Sequence, residues 1–161
     1  MIFTGHAELN IDAKQRLSIP AKFKSMLSVE RDGKAWYCVP YGEKKLVLFT
    51  EKRFDELAEG RDATLTPNRL QSKFDVSFFG LCERIEPDAA GRIVIPRLHR
   101  ELAGLGDEVV MIGGGKYLEL WNKQRWIDEL PTMHKNLDGM MDQVNPPLSP
   151  PSSPSHLSPP S

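Results

Sequence analysis

The pattern of apolar and polar positions predicts two similar sets of short strands along the chain. In the first half, β-branched and aromatic runs predict strands at 3–9, 16–19, 35–39 and 45–49. In the second half, matching runs lie at 81–85, 108–112 and 117–121. We expect the first two runs to form a hairpin over a turn at 11–16, and the later runs of each half to form hairpins as well. The pattern predicts an α+β protein that is mainly β.

Short helices are expected between these strands. Pro20 begins a helix at a position where its missing N–H has no intrahelical partner, and Phe23, Met26 and Leu27 then form one buried stripe. By the same logic, a second helix begins at Pro96. We expect this helix to bury Leu98 and Leu102 and to end at Gly104 and Gly106. Thr50 and Asn122 are expected to cap two further helices, and another helical stretch opens at Thr66.

One stretch of the sequence occurs twice, 76 residues apart. The shared residues are Asp12, Arg16, Ile19 and Pro20 in the first copy and Asp88, Arg92, Ile95 and Pro96 in the second. Two copies fit a pseudo-two-fold arrangement of two similar modules. The predicted division is a first module at 1–60, a helical connector at 61–80, a second module at 81–144 and a disordered Pro/Ser tail at 145–161.

Each copy of the motif begins with a predicted tight turn. Aspartate is a favoured residue for opening a turn, and Gly91 supplies the residue that most readily adopts a positive φ. Gln15 occupies the equivalent position in the first copy. The first turn therefore either holds Gln15 in the left-handed region or has a different shape.

Composition excludes several classes of protein. The hydrophobic content is 40%, the charged content 27% and the net charge −1, which are ordinary values for a globular protein. No apolar run approaches the length of a membrane span, and the N-terminus lacks the features of a secretory signal, so we expect a cytoplasmic location. Cys38 and Cys82 form no zinc-binding pattern, and we expect reduced, mostly buried thiols.

No motif indicates an enzyme. The four histidines show no metal-binding spacing, and no serine lies in a GxSxG elbow. The glycine run 113–115 lacks the GK[ST] ending of a phosphate loop and predicts a hairpin turn instead. We therefore expect no catalytic residue, no metal, no cofactor and no small-molecule substrate.

The repeated motif concentrates positive charge in a chain that is nearly neutral overall. An Asp–Arg pair across a turn has a purely structural interpretation, as a local ion pair that fixes the turn. Basic residues nevertheless cluster beside both turns, at Lys14, Arg16, Lys22 and Lys24 in the first copy and at Arg92, Arg97 and Arg100 in the second. Paired basic turns on a two-fold scaffold suit double-stranded DNA, because long cationic side chains contact phosphates and arginine can bind guanine through two hydrogen bonds.

These residues resemble a known family. The N-terminal MIFTGH, the two motifs DAKQRLSIPAKFK and DAAGRIVIP, and the segment YLELW are similar to the MraZ family of bacterial transcriptional regulators of the division and cell-wall gene cluster. The resemblance covers roughly residues 3–130 and includes both DxxxR motifs in the right order. It departs from the family pattern at Gln15, where the family usually has glycine, and in the Pro/Ser tail.

The resemblance implies a fold and a function. The implied fold is a duplicated swapped-hairpin unit of the SpoVT/AbrB type, a double-split β-barrel with short peripheral helices. The implied function is a transcriptional regulator, usually a repressor of its own operon, that binds direct repeats in promoter DNA as a ring-shaped homo-oligomer associated with the nucleoid. In the family the DxxxR arginines face DNA, which assigns Arg16 and Arg92, with Lys14 beside the first.

The other basic residues and the turn residues receive separate roles. Lys22, Lys24, Arg97 and Arg100 are candidates for phosphate contacts on charge alone. Asp12, Asp88 and Gly91 are expected to orient the turns without touching an anion. The alternative hypothesis is an AbrB- or antitoxin-like protein-interaction module with only diffuse affinity for DNA.

Overall fold

The structure is a computed structural model that describes residues 1–61 and 64–145. The predicted Pro/Ser tail lies outside the described residues, apart from Asn145. The chain divides into two compact units, Met1–Trp126 and Ile127–Ser161. The first unit contains all eight strands of the described residues and both copies of the motif.

The elements alternate along the chain in two similar series. The strands are β1 His6–Asn10, β2 Arg16–Ser18, β3 Trp36–Pro40, β4 Lys45–Thr50, β5 Glu83–Ile85, β6 Arg92–Val94, β7 Glu108–Gly113 and β8 Leu118–Asn122. The helices are α1 Ala21–Lys24, α2 Val29–Asp32, α3 Glu51–Glu59, α4 Arg69–Leu81, α5 Arg97–Leu102 and α6 Lys123–Val144. This content confirms the α+β class.

Strands from the two repeats share one antiparallel sheet, in the order β1-β7-β8-β4-β3-β5. In the sequence repeat, β1 corresponds to β5, β3 to β7 and β4 to β8. If each strand is replaced by its counterpart, the result is the same order read from the opposite edge of the sheet. This is the pattern of a pseudo-two-fold axis between β8 and β4. The first strand of each repeat pairs with the other repeat, β1 with β7 and β5 with β3. Neither repeat completes its part of the sheet alone.

The remaining two strands form a separate ribbon. β2 pairs antiparallel with β6, so that Leu17 lies opposite Ile93. The predicted hairpin between the first two strands is therefore wrong, because β1 and β2 each pair with a strand of the second repeat. The predicted hairpins β3–β4 and β7–β8 are confirmed. The strands in the described residues do not close into a barrel, since the large sheet ends at β1 and β5.

The core fills the space between the sheet, the ribbon and the short helices. Its fully buried side chains come from both repeats and include Phe3, Phe23, Leu17, Leu46, Leu48, Ile93, Ile95, Met111, Leu118 and Leu120. Phe3 packs edge-on against Phe23 with 6.0 Å between the ring centroids. Because one contiguous apolar cluster contains residues of both repeats, burial of this surface stabilises the two repeats together.

The two motif helices bury different types of side chain. In α1, Phe23 is fully buried as predicted. Met26 and Leu27 also pack against the core, but they follow the end of this helix, which is shorter than predicted. In α5, the prediction is wrong, because Leu98 and Leu102 are half exposed. His99 and Ala103 are buried instead, and the His99 Nε2 donates a 2.6 Å hydrogen bond to the Leu81 carbonyl.

The other helices begin close to the expected caps. Thr50 precedes α3 but its side chain makes no capping hydrogen bond, and the helix ends at Glu59, just before Gly60. The Asn122 side chain accepts hydrogen bonds at the start of α6, as predicted. The connector helix α4 begins at Arg69, two residues after Pro67, and the side chain of its N-cap residue Asn68 accepts a hydrogen bond from the Gln71 amide. Within the second unit, α6 continues from Ile127 to Val144 and contains Pro131.

Both cysteines are free thiols, in agreement with the prediction. Burial raises the pKa of the Cys38 thiol to about 12, with smaller contributions from Cys82 and Glu83. Burial alone raises the pKa of Cys82 to about 11. Both sulfurs therefore stay protonated at neutral pH and are poor nucleophiles.

Truncating the buried side chain of the ribbon should destabilise both repeats at once. Ile93→Ala should lower the free energy of unfolding by about 2–5 kcal/mol, because Ile93 is fully buried between the repeats. Val94→Ala is the matched control on the same strand, where the side chain is 51% exposed, and should change it by less than about 1 kcal/mol. Urea denaturation at one fixed protein concentration measures both values. Equal losses for the two variants would contradict a shared core at the ribbon.

Candidate nucleic-acid interface

The ribbon of β2 and β6 has one buried and one exposed face. Successive side chains of a strand point to opposite faces, and residues directly opposite each other share a face. Leu17 and Ile93 point inward and are fully buried. The alternate positions Arg16, Ser18, Arg92 and Val94 therefore lie on the outward face, where the arginines are partly exposed and Ser18 and Val94 are exposed.

The two motif arginines share this outward face. Arg16 lies opposite Val94, and Arg92 lies opposite Ser18, two residues further along the ribbon. Diagonal neighbours of this kind have Cα atoms about 7–8 Å apart. The ribbon therefore presents two guanidinium groups, one from each repeat, on opposite sides of the pseudo-two-fold axis.

A carboxylate holds the first turn in place. The Asp12 Oδ1 accepts hydrogen bonds from the amides of Lys14 and Arg16, both at 2.9 Å. The Asp12 Oδ2 accepts a 2.8 Å hydrogen bond from the Arg16 Nε. Backbone hydrogen bonds close the same loop. The Gln15 amide donates to the Asp12 carbonyl, and the Asp12 amide donates to the Arg16 carbonyl. One side chain thus fixes both the turn and the orientation of its arginine.

The second turn repeats this arrangement. The Asp88 Oδ1 accepts from the amides of Ala90 and Arg92 at 2.9 Å, and its Oδ2 accepts from the Arg92 Nε at 2.9 Å. The Gly91 amide donates to the Asp88 carbonyl, as the Gln15 amide does in the first turn. The two turns are therefore built by the same local hydrogen bonds.

These hydrogen bonds favour the charged form of both carboxylates. The pKa of Asp12 is lowered, most strongly by the hydrogen bond from the Arg16 amide. Burial opposes this as the second-largest effect, and the Arg16 side chain and the Lys14 amide lower the pKa further. The pKa of Asp88 is lowered by the equivalent groups, the Arg92 amide first. Both carboxylates therefore remain ionised at neutral pH and continue to accept the hydrogen bonds from the arginine Nε atoms.

The backbone resolves the alternatives for Gln15. Its φ is +64°, close to the +76° of Gly91, so both turns have the same shape and Gln15 adopts the left-handed region. Such a conformation is uncommon for a residue with a side chain and is maintained when surrounding contacts determine it.

Both arginines keep donor groups for another molecule. Asp12 and Asp88 use only the Nε atoms, and within the described residues the terminal nitrogens of Arg16 and Arg92 have no hydrogen-bond partner. The side chains are 27% and 35% exposed. Each guanidinium is therefore held in a fixed orientation while its outer edge can still bind an acceptor.

The other basic residues differ in how far they are engaged. Lys14 is exposed beside the first turn, and Arg97 is 85% exposed with a single 3.2 Å contact to Glu101. Lys22 donates to the His6 carbonyl and lies over the Phe23 ring. Lys24 extends from the first repeat toward the second turn, where a methyl group on Gly91 would lie 2.4 Å from its Nζ.

Arg100 makes contacts that the sequence pattern does not reveal. Its guanidinium donates to the Gln15 side-chain oxygen at 2.7 Å and to the Asp107 carboxylate at 2.6 Å, and its Nε donates to the Leu105 carbonyl at 3.4 Å. Gln15 lies 85 residues away in the sequence. In the sequence, this pair is indicated only by Gln15 itself, which occupies the position of Gly91 in the second motif.

Other site types are not supported by the described residues. Within 1–61 and 64–145, no group of three or more His, Cys, Asp or Glu side chains is placed to hold a metal ion. Among the same residues, no helix combines the length and the apolar character that a membrane span requires. The ribbon with its two turns is the candidate site.

Comparison with known proteins connects this geometry to a family. Residues 78–137 match the family model described as "MraZ protein, putative antitoxin-like". The chain is 30% identical over 125 residues to the transcriptional regulator MraZ of Coxiella burnetii, a match that covers 78% of this chain and 82% of the relative. The MraZ regulator of Nitrosococcus oceani is 34% identical over 126 residues, covering 78% and 84%. That of Bifidobacterium longum is 31% identical over 136 residues, covering 84% and 87%.

The two turn carboxylates should titrate at lower pH than an ordinary aspartate. We expect the side-chain carboxyl carbons of Asp12 and Asp88 to titrate below the ordinary value of about 3.9 in a carbon-13 NMR titration. Because the folded pKa is lowered, their contribution to stability is present above the ordinary value and is lost as the pH falls through the folded pKa. An unstructured peptide of residues 10–18 is the control for Asp12. Titration at or above the peptide value would refute the hydrogen bonding of the turn.

Proposed function

Since this chain belongs to the MraZ family of transcriptional regulators, we propose that it acts by binding specific double-stranded DNA through the outward face of the β2–β6 ribbon. The observation that carries the proposal is the paired presentation of Arg16 and Arg92 on that face. A two-stranded β-ribbon fits the major groove of DNA, where arginine forms paired hydrogen bonds with guanine. The unpaired outer edges of both guanidinium groups are the donors for this contact.

The turns supply the orientation that base recognition requires. Asp12 and Asp88 hold the arginine Nε atoms, and Gly91 allows the second turn to adopt a positive φ. In this proposal these three residues orient the arginines and do not contact the nucleic acid. A side chain that is already fixed loses less conformational entropy on binding than a mobile one, which favours both affinity and specificity.

Phosphate contacts are assigned to the exposed cations around the ribbon. Lys14, Lys24 and Arg97 have exposed side chains, and Lys22 lies beside them on α1. Such contacts fix the register of the protein on DNA without reading its sequence, and they make the affinity depend on salt. Arg100 was a candidate for the same role, but each of its three guanidinium nitrogens already donates a hydrogen bond within the chain.

The finer features of the function follow from the family resemblance. We propose a ring-shaped homo-oligomer in the nucleoid that binds direct repeats in the promoter of its own division and cell-wall operon and represses it. Few cations surround each ribbon, so several copies acting on adjacent repeats would raise the affinity of a weak single contact. We also propose the modules 1–60 and 81–144 as SpoVT/AbrB-type swapped hairpins, a proposal supported by the exchange of β1 and β5 between the repeats.

A protein-interaction module remains the second candidate. The observation that favours it is an aromatic patch on α4, where Phe74 and Phe79 are 46% and 39% exposed. Phe74 stacks on Phe78 with a centroid separation of 5.6 Å, and the Arg61 guanidinium lies over the Phe74 ring. In this alternative the patch binds a protein partner and the ribbon has only diffuse affinity for DNA.

Removing either arginine should weaken specific binding. We expect Arg16→Ala and Arg92→Ala each to reduce affinity about ten- to hundred-fold for a duplex from upstream of the gene, because each loses one paired contact with a base. Fluorescence anisotropy with the native and a scrambled duplex, at two salt concentrations, measures the change. Arg69→Ala removes the same charge from the connector helix α4 and should bind like the unmodified protein.

Three outcomes separate the candidates. Tight binding to the native duplex alone, weakened by both arginine variants but not by Arg69→Ala, supports a sequence-specific regulator. Equal and strongly salt-dependent binding to both duplexes indicates diffuse attraction and favours the protein-interaction module. Absence of binding to either duplex would make the paired turns structural.

A further inference from the structure

We propose that Arg100 is a positioning residue that fixes the first DNA-facing turn from the second repeat. In this proposal Arg100 does not contact a phosphate. Among the described residues, no side chain of the first repeat donates an equivalent hydrogen bond to the second turn. This inference deepens the proposed function and rests on it for the consequence in DNA binding. The clamp itself, defined as Arg100 with Gln15 and Asp107, is a feature of the protein without DNA.

The clamp holds the first turn at two points. The Arg100 guanidinium donates to the Gln15 side chain at 2.7 Å and to the Asp107 carboxylate at 2.6 Å. The Asp107 carbonyl in turn accepts a 2.8 Å hydrogen bond from the Ile11 amide, immediately before the turn. The Arg100 side chain is only 15% exposed, and its hydrogen bond with Gln15 is partly buried, whereas the Asp107 carboxylate is 80% exposed.

Strand pairing explains why a residue of the second repeat reaches the first turn. In an antiparallel ribbon, the end of one strand lies beside the start of the other. Helix α5, which follows β6, therefore begins near the turn that precedes β2, and the Ile95 amide donates to the Gln15 carbonyl at 2.9 Å. Arg100, near the end of α5, extends back over Gln15.

The corresponding contact at the other end of the ribbon is different. Lys24 occupies the position in the first repeat that Arg100 occupies in the second, and its Nζ lies over Gly91. Gly91 has no side chain to accept a hydrogen bond, and within the described residues the Lys24 ammonium has no hydrogen-bond partner. Lys24 is therefore available for a phosphate, whereas each guanidinium nitrogen of Arg100 already donates within the chain.

The difference between the turns matches the residue at their left-handed position. Gly91 adopts its φ of +76° without strain, so the hydrogen bonds of Asp88 suffice to hold the second turn. Gln15 adopts +64° at a cost in conformational energy, and the hydrogen bond from Arg100 offsets that cost. The first turn thus requires a support that the second does not, and Arg16 immediately follows the residue that Arg100 holds.

The first test uses the protein without DNA. Arg100→Ala should shift and broaden the amide resonances of Gln15 and Arg16 in a TROSY spectrum and leave those of Gly91 and Arg92 in place. Arg97→Ala, which removes the same charge from the same helix, should leave both turns unchanged. Unchanged Gln15 and Arg16 resonances in Arg100→Ala would overturn the clamp, whether or not the protein binds DNA.

The second test measures coupling in DNA binding. With the native upstream duplex in fluorescence anisotropy, Arg100→Ala should weaken binding about ten-fold in the unmodified protein and in Arg92→Ala, but less than about two-fold in Arg16→Ala. Residues that act through one another are not additive, whereas a phosphate contact by Arg100 would add to the loss in both backgrounds. Equal losses in the two backgrounds would overturn the proposal.

Two further variants separate geometry from charge. Arg100→Lys keeps the positive charge but cannot span Gln15 and Asp107 with a rigid fork of donors, so it should bind as weakly as Arg100→Ala. In a Gln15→Gly background the turn no longer needs support, and Arg100→Ala should cost less than about two-fold. Full binding by Arg100→Lys would show that charge alone matters. If the unmodified protein binds neither duplex, the proposed function fails while the spectra still decide on the clamp.

Discussion

The antiparallel pairing of β2 with β6 is the interaction on which the rest of the structure depends. Each strand has only three residues, and neither has another ladder within the described residues. The pairing buries Leu17 against Ile93 on the inner face and thereby joins the cores of the two repeats. On the outer face it brings Arg16 and Arg92 together from positions 76 residues apart. A single short ladder thus links the stability of the fold to the geometry of the candidate site.

Duplication with exchange of strands explains how two similar halves produce unequal turns. The local hydrogen bonds of Asp12 and Asp88 are identical in kind, because they lie within five-residue loops of equivalent sequence. The supports that reach across the axis have diverged, with Arg100 on Gln15 and Lys24 over Gly91. The hydrogen bonds within each turn orient its arginine in the same way in both repeats. The contacts between the repeats differ without changing the shape of either turn.

The sequence predicts local structure in this protein better than it predicts which strands and side chains contact each other across the fold. The turns, the Asn122 cap and the hairpins β3–β4 and β7–β8 follow from residues close together in the chain, and the structure has them. The pairing of β1 with β7 could not be predicted, because a strand of alternating pattern fits any neighbouring edge of suitable polarity. Similarly, His99 replaces the expected Leu98 and Leu102 in the core, since its ring reaches the Leu81 carbonyl. The DxxxR arginines were visible from the repeat, but the contact of Arg100 with Gln15 depends on that unpredicted pairing.

The modest charge of the ribbon constrains how the protein could use DNA. With a net charge of −1, the chain has no overall attraction to a polyanion, so affinity must come from the few cations near the turns. Phosphate contacts alone would then give weak and sequence-independent binding. Two fixed guanidinium edges on one face increase discrimination without adding charge, because a paired hydrogen bond to a base is lost when the base changes. In the proposed function, preorganisation of the arginines by the turn carboxylates would be the physical basis on which a nearly neutral chain selects a DNA sequence.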